Sequence, residues 1–175
     1  MVALQNSPTT ASAESLWDLI TYLEDNSHRY IRQTLRQLDQ LIEKIARARP
    51  VPLRLVDWLR RQSLALEDLL ETHLAHQECC LFPMISELTG QGDNRSAARE
   101  LGESLQEAME RATLANQEAI TLTETMQKCL RHAEWEQVGA LTDRLEDKVR
   151  ELKVELRAYG YVSAEVITPK VDDLL

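Results

Sequence analysis

Two of the four histidines in this 175-residue chain lie at positions from which they could form one site. His28 and His73 each lie on the apolar stripe of a segment with helical periodicity, so both imidazoles are expected to point into the protein interior. Imidazole nitrogen is a good ligand for iron, zinc and copper ions. A buried imidazole can equally be a core side chain that is hydrogen-bonded, here to Gln77 or Tyr159. The sequence leaves both interpretations open.

The surroundings of His73 recur in a weaker form near the C-terminus. His73–Pro83 reads HLAHQECCLFP and Tyr159–Pro169 reads YGYVSAEVITP, with the same ten-residue step to a proline. Each stretch closes a long helical pattern and puts two polar or aromatic side chains four residues apart on its inward face: His73 with Gln77, and Tyr159 with Ser163. This pattern indicates that the second and fourth helices are copies of one another.

Tyr159 and Glu78 are further candidate ligands. A phenolate can bind ferric iron, so the sequence allows a mononuclear site of His28, His73 and Tyr159, with Glu78 as a fourth member. The alternative is that Tyr159 only fills volume inside the protein. Glu78 follows Gln77 by one position, about 100° around a helix, so it is expected to face partly away from the interior. Its use as a ligand would need a π-bulge or a rotation of the helix near the following proline.

Cys79 and Cys80 are weak candidates for redox chemistry. Their side chains are expected to diverge, because adjacent residues of a helix do not face each other, and only His76 offers a nearby cationic partner. His76 and Cys80 lie one helical turn apart and make only half of a zinc site. Cys80 falls on the apolar stripe of the second helix. We therefore expect Cys80 to be a small core residue and His76 to be solvated.

Four amphipathic helices must position these residues, because apolar residues recur every three or four positions in four long segments. Prolines end the first segment, and the stretch Gly90–Asn94 ends the second. Such helices with short connections are typical of an up-down-up-down antiparallel four-helix bundle. The predicted helices are Glu14–Ala48, Leu53–Leu88, Arg95–Leu130 and Glu134–Val162. The inward stripe of the third is predicted at Leu101, Leu105, Ala108, Ala112, Ala115, Ala119, Leu122 and Met126.

The composition favours one all-α domain. Five Gly, five Pro and one Phe accompany a large share of helix-forming residues. A chain of this length can bury a core without disulfides or a structural metal. We expect residues 1–13 to be a flexible N-terminal tail, residues 14–171 to form the bundle, and residues 172–175 to be a C-terminal tail.

The charge and the termini restrict the partners. A net charge of -9 disfavours nucleic acid and anionic membranes, which would be repelled. The sequence has neither an apolar run of transmembrane length nor a leader pattern at its start, and its three cysteines suit a reducing compartment. We therefore expect a cytoplasmic protein without a nucleic-acid or membrane partner. Trp17, Trp58 and Trp135 either cap the ends of the core or form a patch for a homodimer; no other protein partner is indicated.

The first half of the chain resembles the hemerythrin-like (HHE cation-binding) proteins. SLWDLITYLEDNSHRYIRQTLRQLDQLIEKI and LEDLLETHLAHQECCLFPMISEL are similar to the first two helices of that family, most closely to its iron-sulfur-cluster repair branch. There a ligand His is followed by an aromatic residue and an Arg, as His28 is by Tyr30 and Arg32, and the second helix ends in His-x-x-x-Glu and Leu-Phe-Pro. The resemblance extends over about Glu14 to Val171 and is weak in the last two helices.

The resemblance implies a hemerythrin-like bundle around two irons, but most of the ligands are replaced. His28 and His73 match ligand positions, so two of the six expected ligands are kept. Two irons need several anionic or imidazole donors to offset their mutual repulsion, so no standard di-iron centre is expected, and the cofactor is either absent or one iron. The replaced positions are Gln77 for the bridging Glu, Thr113 or Leu114 for the His of the third helix, and Tyr159 and Ser163 for the His and Glu of the fourth.

Three functions are compatible with these residues. The first is a binding, sensory or regulatory protein, metal-free or with one metal, related to oxygen, nitric oxide or iron stress. The second is a non-haem iron protein with a rearranged mononuclear site, for iron storage or delivery, cluster repair or binding of a diatomic gas. The third is a haem binder with His28 and His73 as axial ligands. A Gly-rich phosphate loop and a nucleophile elbow are both absent from the sequence, so a binding role is favoured over an enzymatic one.

Overall fold

The computed structural model describes residues 13–48, 51–90, 95–132 and 139–173. These residues form four long helices and contain no β-strand, which confirms the all-α class. None of the described helices is long and apolar enough to cross a membrane. The predicted N-terminal tail lies outside the described residues except for its last residue, as do residues 174 and 175 of the predicted C-terminal tail and Trp135.

Three of the four helices contain a π-helical segment. The first helix comprises Ala13–Tyr22, the π-helical segment Leu23–His28, and Arg29–Arg47. The second comprises Leu53–His76, the π-helical segment Gln77–Leu81, and Phe82–Gly90. The third is one α-helix, Arg95–His132. The fourth comprises Gly139–Val162, the π-helical segment Ser163–Ile167, and Thr168–Asp172.

The boundaries of the first three helices agree with the sequence patterns to within two residues, and the predicted start of the fourth, Glu134, lies outside the described residues. The second and third helices begin at the predicted Leu53 and Arg95. The fourth was predicted to end at Val162, and this is wrong, because the backbone passes through the π-helical segment and stays helical to Asp172. A π-helical turn still satisfies its backbone hydrogen bonds, so it does not end a helix.

Each long helix packs against two others. The first contacts the second and the fourth, and the third also contacts the second and the fourth. The apolar stripes of all four meet in the interior, where the side chains of Leu38, Leu59 and Leu145, for example, are fully buried. Each such side chain stabilises the fold by about 1.5–3 kcal/mol relative to an exposed one.

The core consists of two apolar clusters. The larger one holds Ile31–Ile45 of the first helix, Val56–Leu74 of the second, Ala119–Leu130 of the third and Leu145–Leu156 of the fourth. The smaller one holds the remaining apolar ends of the same four helices: Leu16–Leu23, Leu81–Leu88, Leu105–Ala112 and Tyr159–Val171. Buried polar side chains lie between the two clusters, and they include His28, His73 and Gln77, which the sequence singled out.

The second and fourth helices share one register. Their π-helical segments both have five residues, begin four residues after His73 or Tyr159, and end two residues before a proline. Buried positions of the second helix have buried counterparts 86 residues later: Leu59 and Leu145, Leu66 and Leu152, Leu70 and Leu156, His73 and Tyr159, Leu81 and Ile167, Ile85 and Val171. The two helices therefore place equivalent residues in the interior.

The π-helical segment also changes which cysteine faces inward. Cys80 was predicted to be in the core, but it is exposed, and Leu81 and Phe82 are buried in its place. The wider turn after Gln77 inserts one extra residue before the next inward-facing position of the second helix. The regular spacing of three and four residues therefore predicts the wrong buried residue at this point.

Candidate metal-binding site

The buried polar side chains between the two apolar clusters form what we call the polar layer: His28, His73, Gln77, Asn116 and Tyr159. Their exposed fractions are 0%, 4%, 0%, 6% and 3%. All four long helices contribute to the layer, and two of the five residues lie in π-helical segments. Such segments are frequent at functional sites, where the wider turn redirects a side chain.

His28 is held on three sides. Its Nδ1 lies 2.8 Å from Oε1 of Glu78, and its Nε2 lies 3.5 Å from the hydroxyl of Tyr159. The ring stacks on Phe82 with 5.7 Å between ring centroids and an interplanar angle of 17°. These contacts fix both the position and the plane of the imidazole.

Glu78 lies at the edge of the polar layer, between His28 and a guanidinium. Arg32 donates to both carboxylate oxygens, from Nη1 at 2.7 Å and from Nη2 at 3.1 Å, and its Nε donates to Glu71 at 3.0 Å. Glu78 is the second residue of the π-helical segment Gln77–Leu81. That wider turn lets Gln77 stay buried while the next residue still reaches His28.

The network assigns the tautomer of His28. A carboxylate only accepts hydrogen bonds, so Nδ1 carries the proton and donates to Glu78. Nε2 is then the acceptor nitrogen, and its lone pair takes a long hydrogen bond of 3.5 Å from the hydroxyl of Tyr159 in the interior. A carboxylate that holds the far nitrogen of a histidine in this way is the usual support of a metal-ligating imidazole.

His73 and its neighbours have polar atoms without partners. Nε2 of His73, both polar atoms of the Gln77 side chain, and Oδ1 of Asn116 are buried and make no hydrogen bond among the described residues. The His73 ring meets the edge of Tyr159 at right angles, with 6.0 Å between centroids. Buried polar atoms are rarely left unsatisfied, so their concentration here indicates a site for a ligand, an ion or water.

Burial keeps the polar layer electrically neutral. It lowers the pKa of His28, against the opposing effect of Glu78, and it lowers the pKa of His73 to about 4, with the nearby His28 and His76 adding to the shift. Burial also raises the pKa of the Tyr159 hydroxyl. Near pH 7 both imidazoles and the phenol are therefore uncharged.

The carboxylate beside the layer stays ionised. Burial by itself would raise the pKa of Glu78, but the hydrogen bonds from Arg32 and His28 outweigh it, and the net pKa is lowered. The pKa of the Arg32 guanidinium is raised, chiefly by its hydrogen bonds to Glu78. The charges of this pair therefore lie at the edge of the layer and balance each other.

The Hemerythrin HHE cation binding domain family matches residues 19–156, well over half of the chain. The chain belongs to the hemerythrin family. Neither a curated protein nor a solved structure gives a significant match. The matched range of this hemerythrin-family protein includes His28, His73 and Gln77 and ends before Tyr159 and Ser163.

A di-iron centre does not fit the residues of this layer. Among the described residues, no three His, Cys, Asp or Glu side chains come together as possible metal ligands. Gln77 contributes a neutral amide, and the carboxylate of Glu78 is already hydrogen-bonded to His28 and Arg32. Two adjacent iron ions would thus lack the anionic ligands that offset their repulsion.

A single metal ion fits the same residues better. The lone pair of His28 Nε2 meets only the Tyr159 hydroxyl, at 3.5 Å, His73 Nε2 has no partner, and Gln77 Oε1 is a further unpaired acceptor among the described residues. Two neutral imidazoles with one or two oxygen donors are a common ligand set for iron(II), zinc(II) and related ions. In this set Glu78 orients His28, whereas the sequence suggested it as a ligand.

Several of the sequence-derived candidates lie away from the layer. Thr113 and Leu114 are both exposed, so neither takes the place of a third-helix ligand. The third helix has no π-helical segment like the one that turns His28 inward, and its regular spacing directs these two side chains outward. Ser163 is half-buried and begins the last π-helical segment. Cys79 and Cys80 are exposed free thiols.

Asn116 is the residue of the polar layer that the sequence did not reveal. Its Nδ2 donates to the backbone oxygen of Leu156 at 3.0 Å. The predicted stripe passed through Ala115 and Leu122, which are only half-buried, whereas Asn116 and Thr123 are buried. The four-residue step from Ala112 to Asn116 fits the helical period and could have indicated that Asn116 is buried. The apolar Ala115 fits the period equally well, so the prediction chose Ala115.

Proposed function

We propose that this hemerythrin-family protein is a binding or sensory protein that holds one transition-metal ion, iron in the first instance, in place of a pair of irons. The observation that carries the proposal is the state of the two imidazoles. His28 is oriented by Glu78 with its Nε2 lone pair turned inward, and His73 Nε2 is buried without a partner. Both imidazoles are neutral near pH 7, so a metal ion does not have to displace a proton.

The remaining donors would complete the site only in part. Gln77 Oε1 and the hydroxyl of Tyr159 are the oxygen atoms within the layer that supplement the two imidazoles. A bound iron(II) ion would supply open coordination positions for a diatomic gas such as nitric oxide or oxygen. The apolar clusters on both sides keep the layer away from bulk water, which favours binding of small neutral molecules over charged ones. On this basis we propose a role in the response to oxygen, nitric oxide or iron stress.

A haem group fits this interior less well. The Tyr159 ring lies 5.7 Å from the His28 ring and 6.0 Å from the His73 ring, centroid to centroid, so it occupies space that a porphyrin between the two imidazoles would need.

We also propose that the four helices run antiparallel in up-down-up-down order and that the protein is cytoplasmic.

The proposal is tested by adding Zn²⁺ or anaerobic Fe²⁺ to metal-free protein and following thermal unfolding. Ligand at about 100 times its dissociation constant should stabilise the fold by about 2.7 kcal/mol, seen as a rise in Tm. His28→Ala and His73→Ala should each lose the rise. His76→Ala is the matched control, because His76 lies on the same helix as His73 but outside the layer, and it should keep the rise.

Two results would contradict the proposal. One is an unchanged Tm for the wild-type protein at millimolar metal. The other is an equal rise in all four proteins, which would show that the metal binds outside the polar layer.

A further inference from the structure

A cleft rich in arginine lies along the first helix. Its volume is about 390 Å³. Each of its lining residues carries a charged or an amide side chain: Glu24, Arg29, Arg32, Gln33 and Arg36. The three arginines are spaced three and four residues apart, so their side chains share one face of the helix. The cleft thus lacks the mostly apolar lining that is usual for pockets of neutral small molecules.

Two of the three guanidinium groups have no carboxylate partner. Arg29 and Arg36 are exposed, and neither side chain forms an ion pair or a hydrogen bond among the described residues. The acidic residues nearest to them along the helix are Asp25 and Asp39, one turn away, and no acidic residue lies between these two. The positive charges of Arg29 and Arg36 are therefore left for a group from outside the described chain.

The other two charged residues of the cleft have opposite effects on an anion. Arg32 gives three of its five N–H groups to Glu78 and Glu71, so two N–H groups remain for a ligand. Glu24 adds a carboxylate to the lining, and its negative charge opposes the binding of an anion. Two unpaired guanidinium groups and the remaining donors of a third thus act against one carboxylate.

We infer that this cleft binds a small anion with two phosphate groups, of the diphosphate class. Arginine recognises phosphate oxygens through paired N–H donors and stays charged at physiological pH. Arg29 and Arg36 lie seven residues apart, which is about 10.5 Å along the helix axis. One phosphate group at each guanidinium matches this spacing better than a single phosphate shared by both.

The attraction must be local, because the chain as a whole repels anions with its net charge of -9. A long polyanion would meet this repulsion beyond the cleft, whereas a small anion stays within reach of the arginines. The inference does not depend on a metal ion, since no residue that lines the cleft is a donor in the metal site proposed above.

Calorimetric titration of metal-free, full-length protein tests the inference, with diphosphate as the probe and monophosphate as the matched smaller anion. The buffer contains about 0.15 M NaCl, so that attraction between exposed charges is screened beyond about 8 Å. Diphosphate should bind saturably, one per chain, with a dissociation constant of about 1 mM or below. Monophosphate should bind about tenfold more weakly, because it engages only one of the two unpaired guanidinium groups.

Four substitutions locate the site. Arg29→Gln and Arg36→Gln should each weaken diphosphate binding about tenfold, and both proteins should fold, because neither side chain has a partner to lose. Glu24→Gln should strengthen binding by about threefold, because it removes the opposing charge. Arg144→Gln is the matched control: it removes the same charge from an exposed position of the fourth helix outside the cleft, and it should leave the affinity unchanged.

Three results would overturn the inference. The first is the absence of saturable diphosphate binding to the wild-type protein. The second is equal affinity for diphosphate and monophosphate. The third is a loss of affinity in Arg144→Gln as large as the loss in Arg29→Gln and Arg36→Gln, which would show that only the total charge of the protein matters. Because no metal ion is present, none of these results bears on the metal site.

Discussion

Glu78 Oε1 lies 2.8 Å from His28 Nδ1, although a regular α-helix would turn Glu78 partly away from the interior. The π-helical segment Gln77–Leu81 accounts for the contact. The same carboxylate accepts two hydrogen bonds from Arg32, which hold it in place. Glu78 and Arg32 thus orient one of the two imidazoles of the polar layer.

Replacement of this carboxylate should affect both stability and metal binding. Glu78→Gln removes a partly buried ion pair to Arg32 and weakens the hold on His28, so we expect a loss of about 1–2 kcal/mol in the free energy of unfolding. Metal affinity should fall about 10- to 100-fold, as is usual when such a supporting partner is lost. Urea unfolding and metal titration by calorimetry give the two quantities.

Glu71→Gln is the control for that variant. Glu71 also pairs with Arg32, but its side chain is 47% exposed and does not reach His28. Its replacement should cost less than about 0.5 kcal/mol and leave the metal affinity unchanged. Equal effects of the two substitutions would show that the ion pairs of Arg32, and not the orientation of His28, determine stability and metal affinity.

His73 should make the fold sensitive to acid. Its pKa is lowered from 6.5 to about 4 in the folded state, so the unfolded chain binds a proton more readily. Above pH 6.5, His73 is neutral in both the folded and the unfolded state and does not make stability depend on pH. As the pH falls from 6.5 towards 4, the free energy of unfolding should decrease by about 3 kcal/mol in total. Urea unfolding of metal-free protein at a series of pH values measures it.

His73→Leu should flatten that part of the pH profile, because leucine has no proton to take up. His76→Gln should keep most of the slope, because burial is the main cause of the lowered pKa of His73 and His76 only adds to it. A wild-type slope in His73→Leu would show that another group is responsible.

The close approach of Gly160 to Asn116 predicts opposite effects of alanine at two glycines. Gly160→Ala places a Cβ atom 2.4 Å from Asn116 Nδ2 and should break the hydrogen bond to Leu156, a loss of about 1–3 kcal/mol. Gly139→Ala meets nothing within 4 Å and should be neutral or stabilise by up to about 1 kcal/mol. Thermal unfolding of both variants makes the comparison; a stabilised Gly160→Ala protein would contradict the packing described.

The helices could be predicted from the sequence because burial of one apolar stripe per helix determines their length and spacing. His28, His73, Gln77 and Tyr159 were found in the same way, since they interrupt otherwise apolar stripes. The π-helical segments could not be found, because their wider turns leave almost the same stripes on either side. The errors at Cys80 and at the end of the fourth helix both follow from them.

The contacts between side chains of different helices could not be predicted from the sequence either. Glu78 and Arg32 are 46 residues apart, and the bidentate pair between them depends on a local rotation that periodicity does not encode. Asn116 was missed because the alanine-rich stripe of the third helix fits two registers, and only the packing of Gly160 against it selects one. Helix positions follow from composition and spacing, whereas the polar network follows from the particular way in which the helices meet.

One metal ion, and not two, is the occupancy that we propose for the polar layer. Metal-free protein titrated with Fe²⁺ under anaerobic conditions, with the bound iron counted per chain after removal of the free ion, tests it most directly. We predict one iron per chain in the wild type and none in the His28→Ala/His73→Ala double variant. Two irons per chain, or one iron that the double variant retains, would contradict the account.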